Sequence, residues 1–395
     1  MSAVGVTRHA SGFQVRARLI VAVASAPALI AASPAAAQLQ ISGQVEALAL
    51  NETDTRGLNR NFRNDSPFSS VRARLFAQHW VTERIGVFAE LLYDIESTPR
   101  LNGAYIVVNE IAGLDWLGVR AGMAPGLIGN FGLRSTYFNA NPVIGVPLVH
   151  QHRTTLDGSG LATAADMERR RATNVIGLPM MYDACWNPVA ELLGNAGRFE
   201  YSFGVTNGSV SNPLQTRLVE GVQWMTRIGY EPVDGLRLGA SALIGPYIGG
   251  PKFDPAIAAT SFPGEPDDYD QRLAGFDAEW LLATLHFFAE GYVGDFDAPL
   301  IADDLGLMGG YVEGRYDFLP EWFAALRVDA LTFSDITLDS GQETGWDDDV
   351  VRVESSLTYR IAREVHLRAN WQHSRFVTGG EEPIDLVGVQ LRAVF

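Results

Sequence analysis

The sequence predicts an all-β fold, a transmembrane antiparallel β-barrel of about sixteen strands spanning residues 38–395. Three observations carry this. Apolar and polar residues alternate with period two in segments of about ten residues, the length of a tilted membrane strand. Links between the segments alternate between short and long, as expected of an up-and-down barrel. No apolar run after residue 37 is long enough for a membrane helix, which needs about 20 residues.

The chain opens with a segment outside that pattern. Arg8, Arg16 and Arg18 form a basic start, Leu19 to Ala32 is an apolar run broken by Ser25 and Pro27, and Ala35-Ala36-Ala37 supplies small residues for cleavage. This order is that of a secretory signal peptide, residues 1–37, followed by one domain, 38–395. Cutting after Ala37 leaves 395 − 37 = 358 residues. Three of the 30 basic residues and none of the 46 acids precede the cut, so the mature charge is 27 − 46 = −19. Such a charge excludes nucleic acid as a partner, because phosphate binding needs a basic surface. Cys185 is the single cysteine and reads as an inert turn residue, so no disulfide staples the fold.

The expected strands are 39–50, 68–82, 85–96, 101–111, 117–125, 174–184, 197–206, 217–231, 235–245, 269–281, 284–294, 305–318, 322–334, 349–361, 365–376 and 383–395. Fourteen or eighteen strands follow if a segment has been merged or split. The last segment shows the pattern well: Val387, Val389, Leu391, Ala393 and Phe395 share one face, and Gly388, Gln390 and Arg392 the other. Alternate residues of a strand point to opposite sides, so in a membrane the apolar set meets lipid and the polar set faces inward. Short links fall at 83–84, 112–116, 231–235, 281–284, 318–322 and 361–365; long ones at 51–67, 126–173, 245–268, 294–305 and 333–348. The link 185–196 breaks this alternation and is expected to hold a helical turn. Tyr230, Trp280, Phe318, Tyr359 and Phe395 lie on the apolar face beside short links, the placement of an interfacial aromatic girdle.

The ending Leu391-Arg392-Ala393-Val394-Phe395 resembles the C-terminal strand of Gram-negative outer-membrane barrels, with alternating apolar residues and a terminal Phe. The resemblance implies a cell outer-membrane location, with Phe395 as an assembly signal read by the barrel-assembly machinery. The whole layout resembles the sixteen-stranded porins, in which the longest, third outer loop folds inward. That implies a water-filled channel for passive diffusion of small hydrophilic solutes or ions, no cofactor, outer-membrane lipid around the barrel and a homotrimer. Here the third long link, 126–173, is also the longest. Arg120 to Gly132 loosely resembles a passage of phosphate-selective porins, but its spacing departs from theirs and no selectivity is carried over.

With this parity Arg72, Arg74, Arg120, Arg227, Arg237, Arg315, Arg327, Arg352, Arg360, Arg368 and Arg392 point inward, opposed by carboxylates that include Glu90, Asp277, Glu279, Asp329 and Glu354. Arginine stays charged and presents fixed donors, so such residues can line a selective pore. The bland reading is that they pair across neighbouring strands. Arg134, His150, His152 and Arg153 add basic or titratable groups on the expected constriction loop. The acidic run Asp347-Asp348-Asp349 reads as a solvated outer loop, lacking an EF-hand pattern.

No metal site is expected: His150-x-His152 lacks a third ligand. His373-Ser374 is a poor base–nucleophile pair, since adjacent strand residues point oppositely. Gly-x-Ser-x-Gly and P-loop motifs are missing from the sequence. The competing classes are a barrel enzyme of lipase or protease type and a non-conducting scaffold barrel.

Overall fold

A computed structural model describes residues 39–51, 70–94, 99–182 (apart from 127, 133, 135–140, 174 and 176), 186–211, 221–249, 260–378 (apart from 262) and 382–395. The expected signal peptide and Cys185 lie outside the described residues. The barrel strands are β1 (Gln40–Leu50), β2 (Ser70–Trp80), β3 (Ile85–Asp94), β4 (Arg100–Val108), β5 (Gly118–Pro125), β6 (Trp186–Ala196), β7 (Phe199–Thr206) and β8 (Gln223–Val233). They continue as β9 (Leu236–Pro246), β10 (Asp270–Leu281), β11 (Leu285–Phe296), β12 (Leu307–Leu319), β13 (Trp322–Phe333), β16 (Val350–Ala362), β17 (Val365–Phe376) and β18 (Ile384–Val394). A small hairpin, β14 (Asp335–Thr337) with β15 (Glu343–Gly345), stands in the loop before β16.

Every barrel strand pairs antiparallel with its neighbours, and β1 pairs with β18 to close the sheet. Closure satisfies the backbone along what would otherwise be two open edges, which lipid could not hydrate. The seam is tight. Gly43 and Phe395 exchange backbone hydrogen bonds of 2.9 Å, and a Cβ on Gly43 would sit 2.6 Å from the Phe395 ring. Only glycine admits that ring, which explains the residue without any demand for an unusual dihedral.

The two faces divide as the alternation predicts. Val387, Val389 and Leu391 are exposed on the outside, while Gln390 and Arg392 are buried within. The girdle residues Tyr230, Trp280, Phe318, Tyr359 and Phe395 are all exposed outward. Two of them meet a neighbour beside the short turns: Phe199 stacks on Tyr230 at 4.6 Å, and Trp322 lies tilted against Tyr359 at 4.8 Å.

One expected strand is wrong. The described residues of 174–184 are not in the barrel wall; the sixth strand is β6, Trp186–Ala196, where a link with a helical turn is expected from the sequence. The apolar stretch 177–182 pairs instead inside the barrel. Leu178 N donates to Leu156 O at 2.8 Å, Met181 N to Val149 O at 3.2 Å and Tyr182 N to Val210 O at 2.8 Å. Its apolar side chains are buried in an interior core, not in lipid. Pro188 had disguised the true strand, since proline cannot donate to a ladder. With β6 in place, β6 and β7 are joined by Gly197 and Arg198 alone, and the broken alternation of link lengths disappears.

Candidate functional site: the barrel interior and its inner segment

The described residues of the long link between β5 and β6 pack against the inward face of the barrel. It carries a short helix, Leu148–Gln151, and a second, Ala164–Ala172, whose Thr163 and Asp166 form a capping box. Phe131, Val146, Leu148, Val149, Leu156, Met167, Met180 and Met181 are buried here against inward residues of the wall such as Met225, Leu243, Tyr292, Tyr311 and Leu331. One flank of the interior is therefore packed like a soluble core.

Polar contacts from β11 to β17 fix the segment, and wall carboxylates do much of the work. Glu290 accepts from the backbone N–H of Asn130 (2.6 Å) and Phe131 (2.5 Å) and meets His150 Nε2 at 2.8 Å. Glu354 accepts from Gly145 N at 2.7 Å, and Asp329 from Leu148 N at 3.2 Å. Ser356 Oγ donates to Pro142 O at 2.6 Å and Arg368 to Val143 O at 3.0 Å, while Arg352 donates to Val146 O. These groups satisfy irregular backbone that would otherwise be buried without partners.

Beneath the segment lies a charge network closed to water. Arg327 sits among Glu313 (3.4 Å), Asp329 (3.2 Å) and Glu354 (2.5 Å), with Arg352 on Asp329 at 3.3 Å. Arg134 enters from the inner segment and pairs with Glu313 at 2.5 Å. Three guanidiniums thus face three carboxylates, with Arg327, Arg352, Glu313 and Glu354 wholly buried. Burial opposes the Arg134 charge, but Glu313 and Tyr311 outweigh it and hold the guanidinium protonated above its usual range. Its planar group also lies 3.9 Å from the Phe288 ring centre.

The remaining expected residues divide by location. Arg120 pairs with Glu191, and Arg227 with Asp277 (2.7 Å) and Glu200. Arg237 lies 3.8 Å from Glu279, whose carboxylate also accepts from Asn130 Nδ2 at 3.2 Å. Arg315 and Arg360 share one carboxylate, Asp317, and both lie over the Phe323 ring. Arg72 lies 3.6 Å from Glu46, and Arg74 3.7 Å from Glu90. Among the described residues Arg368 donates to neutral acceptors: Thr358 Oγ1 and Gln390 Oε1 at 3.1 Å, besides Val143 O. Arg392 is buried on β18, in register with Glu46 of β1.

Within the inner segment, Arg153 donates to Gly177 O. His152 is buried beside Phe333, with neither ring nitrogen hydrogen-bonded. Burial and nearby Arg352 push its pKa down to about 4, so it is neutral. Among the described residues, no group of three or more His, Cys, Asp or Glu is placed to hold a metal.

The acidic outer run needs correction. Asp347 is not solvated: it is buried and clasps the inner segment, accepting from Thr155 N at 2.7 Å while Thr155 Oγ1 donates to Trp346 O at 3.1 Å. Burial pushes its carboxyl up to about 7, against the backbone donors of Asp348 and Thr155. Arg171 reinforces the clasp by donating to Gly345 O and Thr344 Oγ1. Three consecutive aspartates in the sequence gave no sign that one turns inward.

No family model and no curated protein matches the chain. Solved structures do match its fold. The outer membrane channel DcaP of Acinetobacter baumannii superposes with a TM-score of 0.57 at 12% identity, covering 92% of this chain and 99% of its own. An anion-selective porin from Comamonas acidovorans gives 0.57 at 10%, covering 91% and 100%. OmpT, an outer membrane protein of Vibrio cholerae, gives 0.55 at 10%, covering 92% and 99%. The architecture is that of the sixteen-stranded outer-membrane porins.

Proposed function

We propose that this chain is an outer-membrane porin through which small hydrophilic solutes diffuse passively, with a preference for anions. The observation that carries the reading is an uneven division of charge across the interior. The carboxylates of β11 to β16 are occupied with the inner segment and with arginines of the same wall. On β1 and β2 the described inward charges that keep some exposure are Arg72 and Arg74 against Glu46, an excess of one positive charge, while Arg368, Arg392 and Glu90 beside them are buried. Here Arg72, Arg74 and Glu46 keep 12%, 12% and 17% of their side-chain surface exposed, whereas the network under the inner segment keeps essentially none. A hydrated solute passing along this wall meets fixed guanidinium donors that cannot lose their charge.

Transport of this kind needs no chemical step; it lowers the barrier that lipid poses to polar molecules. Residues 1–37 would direct export and be removed, Phe395 would present the finished seam to the assembly machinery, and three copies would associate. The trimer rests on likeness to a structure described as the trimer form of OmpT.

The test is planar-bilayer recording of the detergent-purified protein. Stepwise ohmic openings are expected. A folded barrel that carries no current, or that hydrolyses lipid or peptide, would replace the porin reading with a scaffold or an enzyme.

A further inference from the structure

Along β2 the inward residues change character. Towards the long-loop end they are Arg72 and Arg74; towards the short turn they are Phe76, Gln78 and Trp80, each partly exposed. Trp80 meets Phe88 of β3 edge-on at 5.9 Å, and Phe88 stacks on Tyr105 of β4 at 4.9 Å. An aromatic wall thus runs across three strands on the short-turn side of the arginines. Passage of a hydrated inorganic anion has no use for such a wall.

Successive inward residues stand about 7 Å apart along a strand, so Arg74 is one step from Phe76. Its neighbours leave much of the guanidinium unused. Glu90 lies 3.7 Å from Arg74 Nη1, but that carboxylate is almost wholly buried and its Oε2 accepts from Asn102 Nδ2 at 3.0 Å. On the other flank β1 sets a neutral residue, Gln44, against Arg74. The buried Nε of Arg74 has no hydrogen-bond partner among the described residues. The amides beside the rings, by contrast, are engaged with each other: Gln78 donates to Gln40 of β1.

We propose that this face of the lumen is a site for aromatic carboxylates, with the solute's carboxylate on Arg74 and its ring against Phe76 and Trp80; the proposal rests on the porin reading above and names the class of solute. A guanidinium offers paired donors that match a carboxylate. The rings favour a flat π face, in offset or edge contact, over a saturated chain. A neutral aromatic solute leaves the donors of Arg74 unmet. An acidic sugar brings hydroxyls that the aromatic wall strips of water, and the nearby amides are already paired.

Planar-bilayer recording tests this on the purified protein, with chloride carrying the current and benzoate, cyclohexanecarboxylate, acetate or gluconate added at neutral pH. Benzoate is expected to block the chloride current at a concentration roughly tenfold below acetate and gluconate. It should also act below cyclohexanecarboxylate, which has the same charge but no π face. Phe76→Ala/Trp80→Ala should bring benzoate to the level of acetate, and Arg74→Gln should weaken the block by both. Variants are first checked for folding by their migration in unheated gels; if the double variant fails to fold, Phe76→Leu takes its place. A chloride current that benzoate blocks no better than the other three anions overturns this proposal and leaves the porin reading standing. A benzoate preference that survives loss of the rings does the same. A folded barrel that carries no current overturns both.

Discussion

The walls on either side of the interior are made from the same residue types and differ in what they hold. On β11, β12, β13 and β16, arginines and carboxylates alternate so that register brings opposites together: Glu313 faces Arg327, Arg327 faces Glu354, and Asp329 faces Arg352. Those charges are sealed beneath the inner segment and serve as its anchorage. On β17, β18, β1 and β2 arginines outnumber carboxylates among the described inward residues, and part of the wall meets solvent. Charge in a barrel lumen is thus not one property. Where it balances and is buried it anchors the inner segment; where it is left over, the proposed porin would use it as a field.

The anchoring side should break hardest. Arg327→Leu removes the centre of the six-charge network and leaves three carboxylates sharing two guanidiniums. Breaking a buried pair typically costs about 3–5 kcal/mol. The variant should lose its folded, unheated gel band at lower temperature and expose the inner segment to protease. Removing residues 134–165 deletes the middle of the anchored segment and should raise single-channel conductance; an unchanged current would mean that this part does not narrow the passage.

The seam should yield less. Gly43→Val forces a side chain into the Phe395 ring, at the usual cost of overpacking, about 1–3 kcal/mol. Thermal melting should fall accordingly, with ion selectivity unchanged.

The smallest effects are the pH limits of the clasp. Asp347 has a pKa of about 7 in the folded protein, raised from 3.8. Its contribution is therefore full below about 4 and is lost as pH rises through 7. His152 behaves oppositely: lowered from 6.5 to about 4, it contributes fully above 6.5 and loses that contribution as pH falls to 4. Protease sensitivity of the inner segment should accordingly rise at both ends of this range. Asp347→Asn should flatten only the alkaline side.

The barrel was legible because lipid and interior impose opposite demands on alternate residues, a constraint that acts within each strand. Inward placement of arginines such as Arg327 and Arg352 follows from it directly. What escaped was non-local. Counting from the short turn at Pro320 and Glu321 would set Glu313 opposite Val328; a register shift between Asp317 and Leu319 brings it opposite Arg327 instead, and the pairing of Arg327 with Glu354 crosses the loop between β13 and β16, where no tight turn sets the register. The stretch 177–182 has strand-like composition because it is buried, but its environment is the protein's own core. Asp347 is inward only because Thr155, nearly two hundred residues earlier, arrives beside it.

The division between the two walls is tested most directly by the reversal potential across a planar bilayer in a salt gradient, comparing the unaltered protein with Arg72→Glu/Arg74→Glu. The unaltered channel should prefer anions, and the double variant should shift the potential towards cations. An unaltered channel that prefers cations, or a potential that the double variant leaves in place, would contradict the assignment of the β17–β2 wall as the conducting side.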